Sequence, residues 1–307
     1  MIPALGKVKL DLGRWYVRYA PIPLGKSAVV DRYLNAGLRS CSRRRSVRTR
    51  FGATFAIDTQ DVIQRYLYMF GMWEPHLTRW LRGRLQTGDV FVDVGANIGY
   101  YSVLASRCVG ATGGVVAIEA SPAMHETLLG NVKANRCANL RTVNAAVSDR
   151  DELLTFNLAS SHNLGATSMV PYDGPAESVF EVEAHSLPQV LTEEELTRAR
   201  VIKIDVEGAE GAVIRGLAPV LGRLRPDAEV TVEVAPDRMA IVGDSVSELL
   251  EALTGHGFHT YRLVNDYSAV GYPDAVHGAR CVPVRWREPV VEQSDLVFSR
   301  IDAESLP

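Results

Sequence analysis

Cysteine is scarce and dispersed in this chain of 307 residues: Cys41, Cys108, Cys137 and Cys281 form no CxxC pair. That spacing argues against a zinc site or a disulfide framework, and a reducing cytoplasm is expected. No stretch approaches about eighteen uninterrupted apolar residues. Lys7, Lys9, Asp11, Arg14 and Arg18 also break up the first twenty-four residues, so neither a transmembrane segment nor a signal peptide is expected. Acidic residues are nearly missing from one region. Residues 1–50 hold twelve Lys or Arg against only Asp11 and Asp31, although the whole chain has a net charge of −3. Such a stretch can face nucleic acid, an anionic membrane, an acidic substrate or the protein's own acidic body. With no aromatic-and-basic strand pattern to read bases, nucleic acid is not expected as a partner.

What is present is the balance of a folded globular chain, 47% apolar and 22% charged. From residue 86 onward, short β-branched runs alternate with longer amphipathic stretches, the pattern of βαβ units feeding a parallel sheet. Strands are expected at Val90–Val94, Val115–Glu119, Leu140–Asn144, Val201–Asp205, Glu229–Val234, Thr260–Leu263 and Leu296–Ser299. Leu153–Asn157 and Val179–Ala184 read as an antiparallel insertion. The expected fold class is α/β: a Rossmann-like, doubly wound, mostly parallel seven-stranded sheet. Residues 1–60 are expected to be a basic N-terminal extension with a small hairpin around Gly52, and residues 61–307 the main domain.

The segment Val92-Asp93-Val94-Gly95-Ala96-Asn97-Ile98-Gly99 lies where the first strand meets a helix, the place where open α/β sheets bind ligands. A dinucleotide-binding loop needs glycine at positions 95, 97 and 100, yet Asn97 and Tyr100 stand at two of them. A ligand without a pyrophosphate, such as S-adenosylmethionine, needs glycine only at the tight turn and where it passes the backbone, which Gly95 and Gly99 supply. Asp93 is placed to pair with the ligand's ammonium group. Glu119, at the second strand's end, is placed to accept both ribose hydroxyls. A second constellation, Val201-Ile202-Lys203-Ile204-Asp205-Val206-Glu207-Gly208-Ala209-Glu210, sets three carboxylates at or beyond another strand end. Alternation puts Lys203 and Asp205 on one face, where burial obliges them to find partners. Capping of the next helix is the competing role for Asp205 and Glu210.

Together, VFVDVGANIGYYS and VIKIDVEGAE resemble the FkbM-type family of S-adenosylmethionine-dependent methyltransferases. GMWEP (Gly71–Pro75), NAAVSD (Asn144–Asp149) and DLVF (Asp295–Phe298) extend the resemblance over most of residues 60–300, leaving residues 1–50 outside it. The resemblance implies a class I methyltransferase fold and O-methylation of a hydroxyl on a natural product, sugar or glycan. Where the family often carries a leucine-aspartate pair, this chain reads His185-Ser186-Leu187-Pro188. The candidate cofactor contacts are Asp93, Gly95, Asn97, Gly99, Glu119 and Asp205.

Methyl transfer from a sulfonium is an in-line displacement in which the protein chiefly aligns the reactants, but an alcohol must also lose its proton. The candidate catalytic residues are Asp205, His162 and Glu233, with His185 and Glu207 as further possible bases. Asp205 and Glu233, ending neighbouring strands, have the hard oxygen ligands that suit magnesium. No third ligand stands at a recognisable spacing, so a metal is not favoured. The competing class is a nicotinamide-dependent oxidoreductase, which shares the sheet and the acidic ribose contact.

Overall fold

The computed structural model describes residues 4–20, 24–158, 178–265, 267–268, 270–278 and 281–307. The N-terminal part runs through helix α1 (Ala4–Tyr19), α2 (Lys26–Val29), a π-helical segment (Val30–Asn35) and α3 (Ala36–Ser40). A hairpin of β1 (Arg44–Arg48) and β2 (Thr54–Asp58) follows, turning at Gly52. Helix α4 (Val62–Phe70) begins where Asp61 accepts the Gln64 N–H and ends at the left-handed Gly71; α5 (Pro75–Arg84) begins with Pro at its first position.

Next come β3 (Val90–Val94), α6 (Tyr100–Val109), β4 (Gly114–Ile118), α7 (Pro122–Ala134) and β5 (Leu140–Val143). Ser121 caps α7 by accepting the Met124 N–H, as the Ser-Pro pair anticipates. Strands β6 (Ala146–Ser148), β7 (Glu152–Leu158) and β8 (Ser178–Ser186) form a separate three-stranded sheet, with β7 and β8 antiparallel. Two short helices, α8 (Leu187–Val190) and α9 (Glu193–Arg198), lead to β9 (Ala199–Ile204). The helix after β9 is interrupted. It divides into α10 (Glu210–Leu217) and a 3-10 segment (Ala218–Arg223), because Pro219 has no N–H with which to continue the α ladder. The remainder is β10 (Glu229–Val234), α11 (Pro236–Ile241), α12 (Val246–Thr254), β11 (His259–Leu263), α13 (Tyr272–His277), β12 (Val284–Arg285) and β13 (Ser294–Ser299).

The main sheet has the order β12-β11-β13-β10-β9-β3-β4-β5. Among the described residues it holds eight strands where seven were expected. The eighth is the two-residue edge strand β12, too short to leave a periodic signal. Strands β10, β9, β3, β4 and β5 are parallel, while β13 runs antiparallel between β10 and β11. The chain leaves β3 toward β4 and β5, then returns to β9 on the other side, which makes the β3/β9 boundary the topological switch point.

Alternation sorts the sheet's side chains between two apolar layers. Val92, Ile202, Val232 and Phe298 join one core with α10 and α12; Phe91, Val201 and Val297 join the other with α4, α5 and α6. That second core also contains Leu10, Val17, Leu34, Leu38, Val47 and Phe55. The apolar packing therefore runs unbroken across the expected boundary at residue 60.

Candidate active site

The chain turns sharply where β3 ends. The Gly95 and Ala96 N–H groups both donate to Ile118 O, at 3.0 and 2.9 Å, and the Asp205 N–H donates to Val94 O at 3.0 Å. Gly95 has φ +79°, and a Cβ there would lie 1.8 Å from the Asp205 carbonyl oxygen. Glycine is thus demanded by the close approach of the chain leaving β9. Gly99 has φ +84°, the left-handed conformation that favours glycine, and a Cβ there would also meet Leu128 Cδ1 at 2.3 Å. Asn97 adopts φ +50°, which a short amide side chain tolerates.

Around this turn lies a cleft enclosing about 990 Å³ out to its open mouth. Gly95, Asn97, Glu119, Lys203 and Asp205 stand among its walls, with Ile118, Met124, Val147 and Phe156 as apolar lining. Glu119 is 8% exposed; its Oε2 accepts the Asn97 N–H at 2.7 Å and its Oε1 the Ser121 N–H at 2.8 Å. Burial raises its pKa to about 7 against the lowering pull of those two N–H groups. Each oxygen keeps a lone pair for a ligand hydroxyl.

Asp93, Lys203, Glu233 and Asp295 all alternate onto the sheet face covered by α4, α5 and α6. Cross-strand register makes neighbours of Asp93 and Lys203, and of Glu233 and Asp295. Lys203 Nζ donates to Asp205 Oδ2 at 2.9 Å, lies 3.9 Å from Asp93 Oδ1 and stands 5.3 Å from the centre of the Tyr101 ring. Burial opposes its charge, yet Asp205, Asp93 and Glu74 together hold it above its ordinary value.

Glu74, the residue before Pro75, enters this layer on a left-handed backbone (φ 37°) and is buried. The Tyr101 hydroxyl donates to one carboxylate oxygen and the Tyr267 hydroxyl to the other, the latter at 2.8 Å. Burial, reinforced by Asp295, lifts Glu74 to about 8. Asp295, which accepts from Asn265 at 2.9 Å, is lifted to about 6, chiefly by burial, and Glu233 is likewise pushed well up. Glu74 was not singled out from the sequence. Its one local signal was its place in GMWEP, and nothing local reveals that Tyr101 and Tyr267 meet it.

Of the other candidates, Asp93 is fully buried, accepts from the Ser102 hydroxyl and is absent from the cleft lining. Gly99 and Glu233 are absent from it too, and the Gln293 amide donates to Glu233. His162 lies outside the described residues. His185 pairs with Asp151 at 2.9 Å, outside the cleft lining, while Glu207 lines the cleft and pairs with Arg238. Asp205 does not cap the following helix. The N-cap of α10 is Ala209, and Glu210 instead folds back to accept the Val206 and Gly208 N–H groups. Among the described residues, the carboxylates able to surround an ion are Glu74, Glu233 and Asp295, with one oxygen from each lying within 4.8 Å of the others. Asp205, whose pairing with Glu233 on magnesium was not favoured, is engaged by Lys203.

A mostly parallel sheet in this order, with a glycine turn at its switch point facing an acid at the next strand end, marks a class I S-adenosylmethionine-dependent methyltransferase. The model of the methyltransferase FkbM domain matches residues 93–260, more than half of the chain, and the protein belongs to that family. Over 99 residues it is 33% identical to the 23S rRNA (uracil(1939)-C(5))-methyltransferase RlmD of Acinetobacter baumannii, covering 32% of this chain and 20% of that one. The chain therefore spans about a fifth of that relative's length. Among solved structures, a methyltransferase FkbM from Methylobacillus flagellatus is 13% identical with a TM-score of 0.39, over 77% of this chain and 52% of that one. A fibrillarin from Aeropyrum pernix with bound S-adenosyl-L-methionine is 12% identical with a TM-score of 0.40, over 83% and 82%. These overlaps are loose, and the assignment rests on the family match.

The cofactor is S-adenosylmethionine, and the cleft suits it. Glu119 presents an anchored carboxyl group for a ribose diol, and Ile118, Met124, Val147 and Phe156 offer apolar surface to an adenine ring. Neither a pyrophosphate cradle nor its glycines are present at Asn97 and Tyr100, so the nicotinamide reading is set aside.

Proposed function

We propose that the protein methylates a hydroxyl oxygen on a small molecule, sugar or glycan. The observation that carries this reading is Asp205. Among the four carboxylates Asp205, Glu74, Glu233 and Asp295, it alone lines the cleft. Bound S-adenosylmethionine supplies an electrophilic methyl group. In this reading Asp205 orients the acceptor hydroxyl and accepts its proton, with Lys203 holding the carboxylate in position.

Methylation of a uracil carbon is the second reading, raised by the rRNA enzyme. A ring carbon of that kind becomes nucleophilic once a nucleophile has added to the ring, a task suited to a thiolate. None of Cys41, Cys108, Cys137 or Cys281 lines the cleft, which favours the oxygen acceptor. Incubation with methyl-labelled S-adenosylmethionine and a panel of polyols, glycans and uridine-containing RNA tests the choice. Carbon NMR of the product distinguishes a methyl ether from a methyl on carbon. A C-methylated product would overturn the proposal. Turnover that collapses with a chelator and returns with magnesium would assign an ion to Glu74, Glu233 and Asp295.

A further inference from the structure

Helix α1 is apolar on two opposite faces. Leu10 and Val17 point inward and are 2% and 1% exposed. Val8, Leu12, Trp15 and Tyr19, separated by four, three and four positions, fall on one outward stripe three turns long and are 55–63% exposed. Single exposed apolar side chains are ordinary, but four large ones aligned on a helix form a patch. The inward face already satisfies the packing of α1 against the domain, so the outward stripe is not explained by folding.

The charge of the N-terminal fifty residues suggests what covers it. Residues 1–50 carry the twelve basic side chains noted above against two acidic ones, and Lys9, Arg32, Arg39, Arg44 and Arg45 among them are exposed. A second copy of this chain would bring like charge against like charge. An RNA backbone would meet the charge but leave valine, leucine and tryptophan in water. An anionic bilayer answers both features: its phosphates attract the cations, and its headgroup–acyl boundary accepts an apolar stripe rich in Trp and Tyr. We propose that α1 seats the protein on an anionic lipid surface, with Val8, Leu12, Trp15 and Tyr19 entering the boundary and exposed basic residues of the N-terminal part facing the headgroups. The acidic remainder of the chain is repelled by the same surface, so the docked orientation is polarised.

Co-sedimentation of the full chain with phosphatidylglycerol-containing vesicles tests this, with pure phosphatidylcholine vesicles alongside. Binding is expected to the anionic vesicles, falling as salt rises, together with a blue shift of tryptophan emission that disappears in Trp15→Phe while sedimentation persists. The double variant Leu12→Glu, Trp15→Glu should bind at least about tenfold more weakly. Its melting temperature and its stabilisation by S-adenosylhomocysteine should not change, which separates lost docking from lost folding. Three outcomes would overturn the proposal: no binding to anionic vesicles, equal binding by the double variant, or a wild-type dimer in light scattering that the double variant abolishes.

Discussion

Lys203 Nζ donates to Asp205 Oδ2 at 2.9 Å while standing 3.9 Å from Asp93 Oδ1, so one buried cation serves a carboxylate on the cleft wall and another sealed inside the sheet. Replacing the cation with an apolar side chain of similar length leaves Asp93 buried and uncompensated. Lys203→Met is expected to cost about 3–5 kcal/mol of stability in urea denaturation. A loss under about 1 kcal/mol would mean that Asp93 is already protonated in the wild type.

Asp205→Asn keeps an acceptor for Lys203 and removes the charge, and no helix cap depends on this side chain. Lys203 loses its nearest negative charge but keeps Asp93, so stability is expected to fall by about 1–3 kcal/mol, while methyl transfer falls at least about a hundredfold. Full turnover by the Asn variant would remove the proton-accepting role.

Glu119 both shapes the loop, through the Asn97 and Ser121 N–H groups, and faces the ligand. Glu119→Ala is expected to weaken S-adenosylhomocysteine binding by more than about 1.5 kcal/mol in calorimetry. Glu119→Gln, which still accepts one N–H, should lose less. An unchanged affinity in both variants would place the ribose elsewhere.

Glu74 titrates near 8 in the fold against an ordinary value of 4.5, because burial and Asp295 disfavour its charge. Above pH 4.5 the unfolded chain releases a proton that the folded chain keeps. The contribution of Glu74 is therefore full below that value, declines as pH rises to about 8 and levels off beyond. The slope approaches 1.4 kcal/mol per pH unit at most, about the free energy of one proton. Glu74→Gln should flatten the stability profile across this window, with the similarly raised Glu119 and Glu210 leaving a residual slope. Denaturation midpoints that fall equally in both proteins would show Glu74 to be ionised in the fold.

Gly95→Ala places a methyl group on the Asp205 carbonyl in a left-handed backbone and is expected to destabilise by at least about 2 kcal/mol. Gly130→Ala, in α7 with nothing within 4 Å of the added carbon, should instead stabilise by roughly 0.5–1 kcal/mol. Similar melting temperatures for the two variants would contradict the close approach of the two strand ends.

Periodicity and punctuation determine a good deal here without any tertiary information. VFVDV and EVTVEV become strands with the expected bounds, Ser121-Pro122 starts a helix, and Asp93-to-Gly99 turns from strand to helix at the sheet's switch point. These are local signals: burial on both faces of a strand, a cap, a glycine at a turn. Alternation likewise places Lys203 and Asp205 on one face, where burial obliges them to find partners; that they serve one another is visible only in the fold. What the chain's local order does not contain is lateral register, because strand pairing is set by packing between segments far apart in sequence. Only the folded sheet puts Asp93 beside Lys203 and Glu233 beside Asp295, turning isolated acids into one coupled cluster. Only the covering layer brings Glu74 to them, between hydroxyls from Tyr101 and Tyr267, 27 and 193 residues away along the chain. The glycine at position 95 shows both contributions. Its identity is plain in the sequence as a turn, but the reason no other residue fits is the Asp205 carbonyl, which tertiary structure alone sets against it.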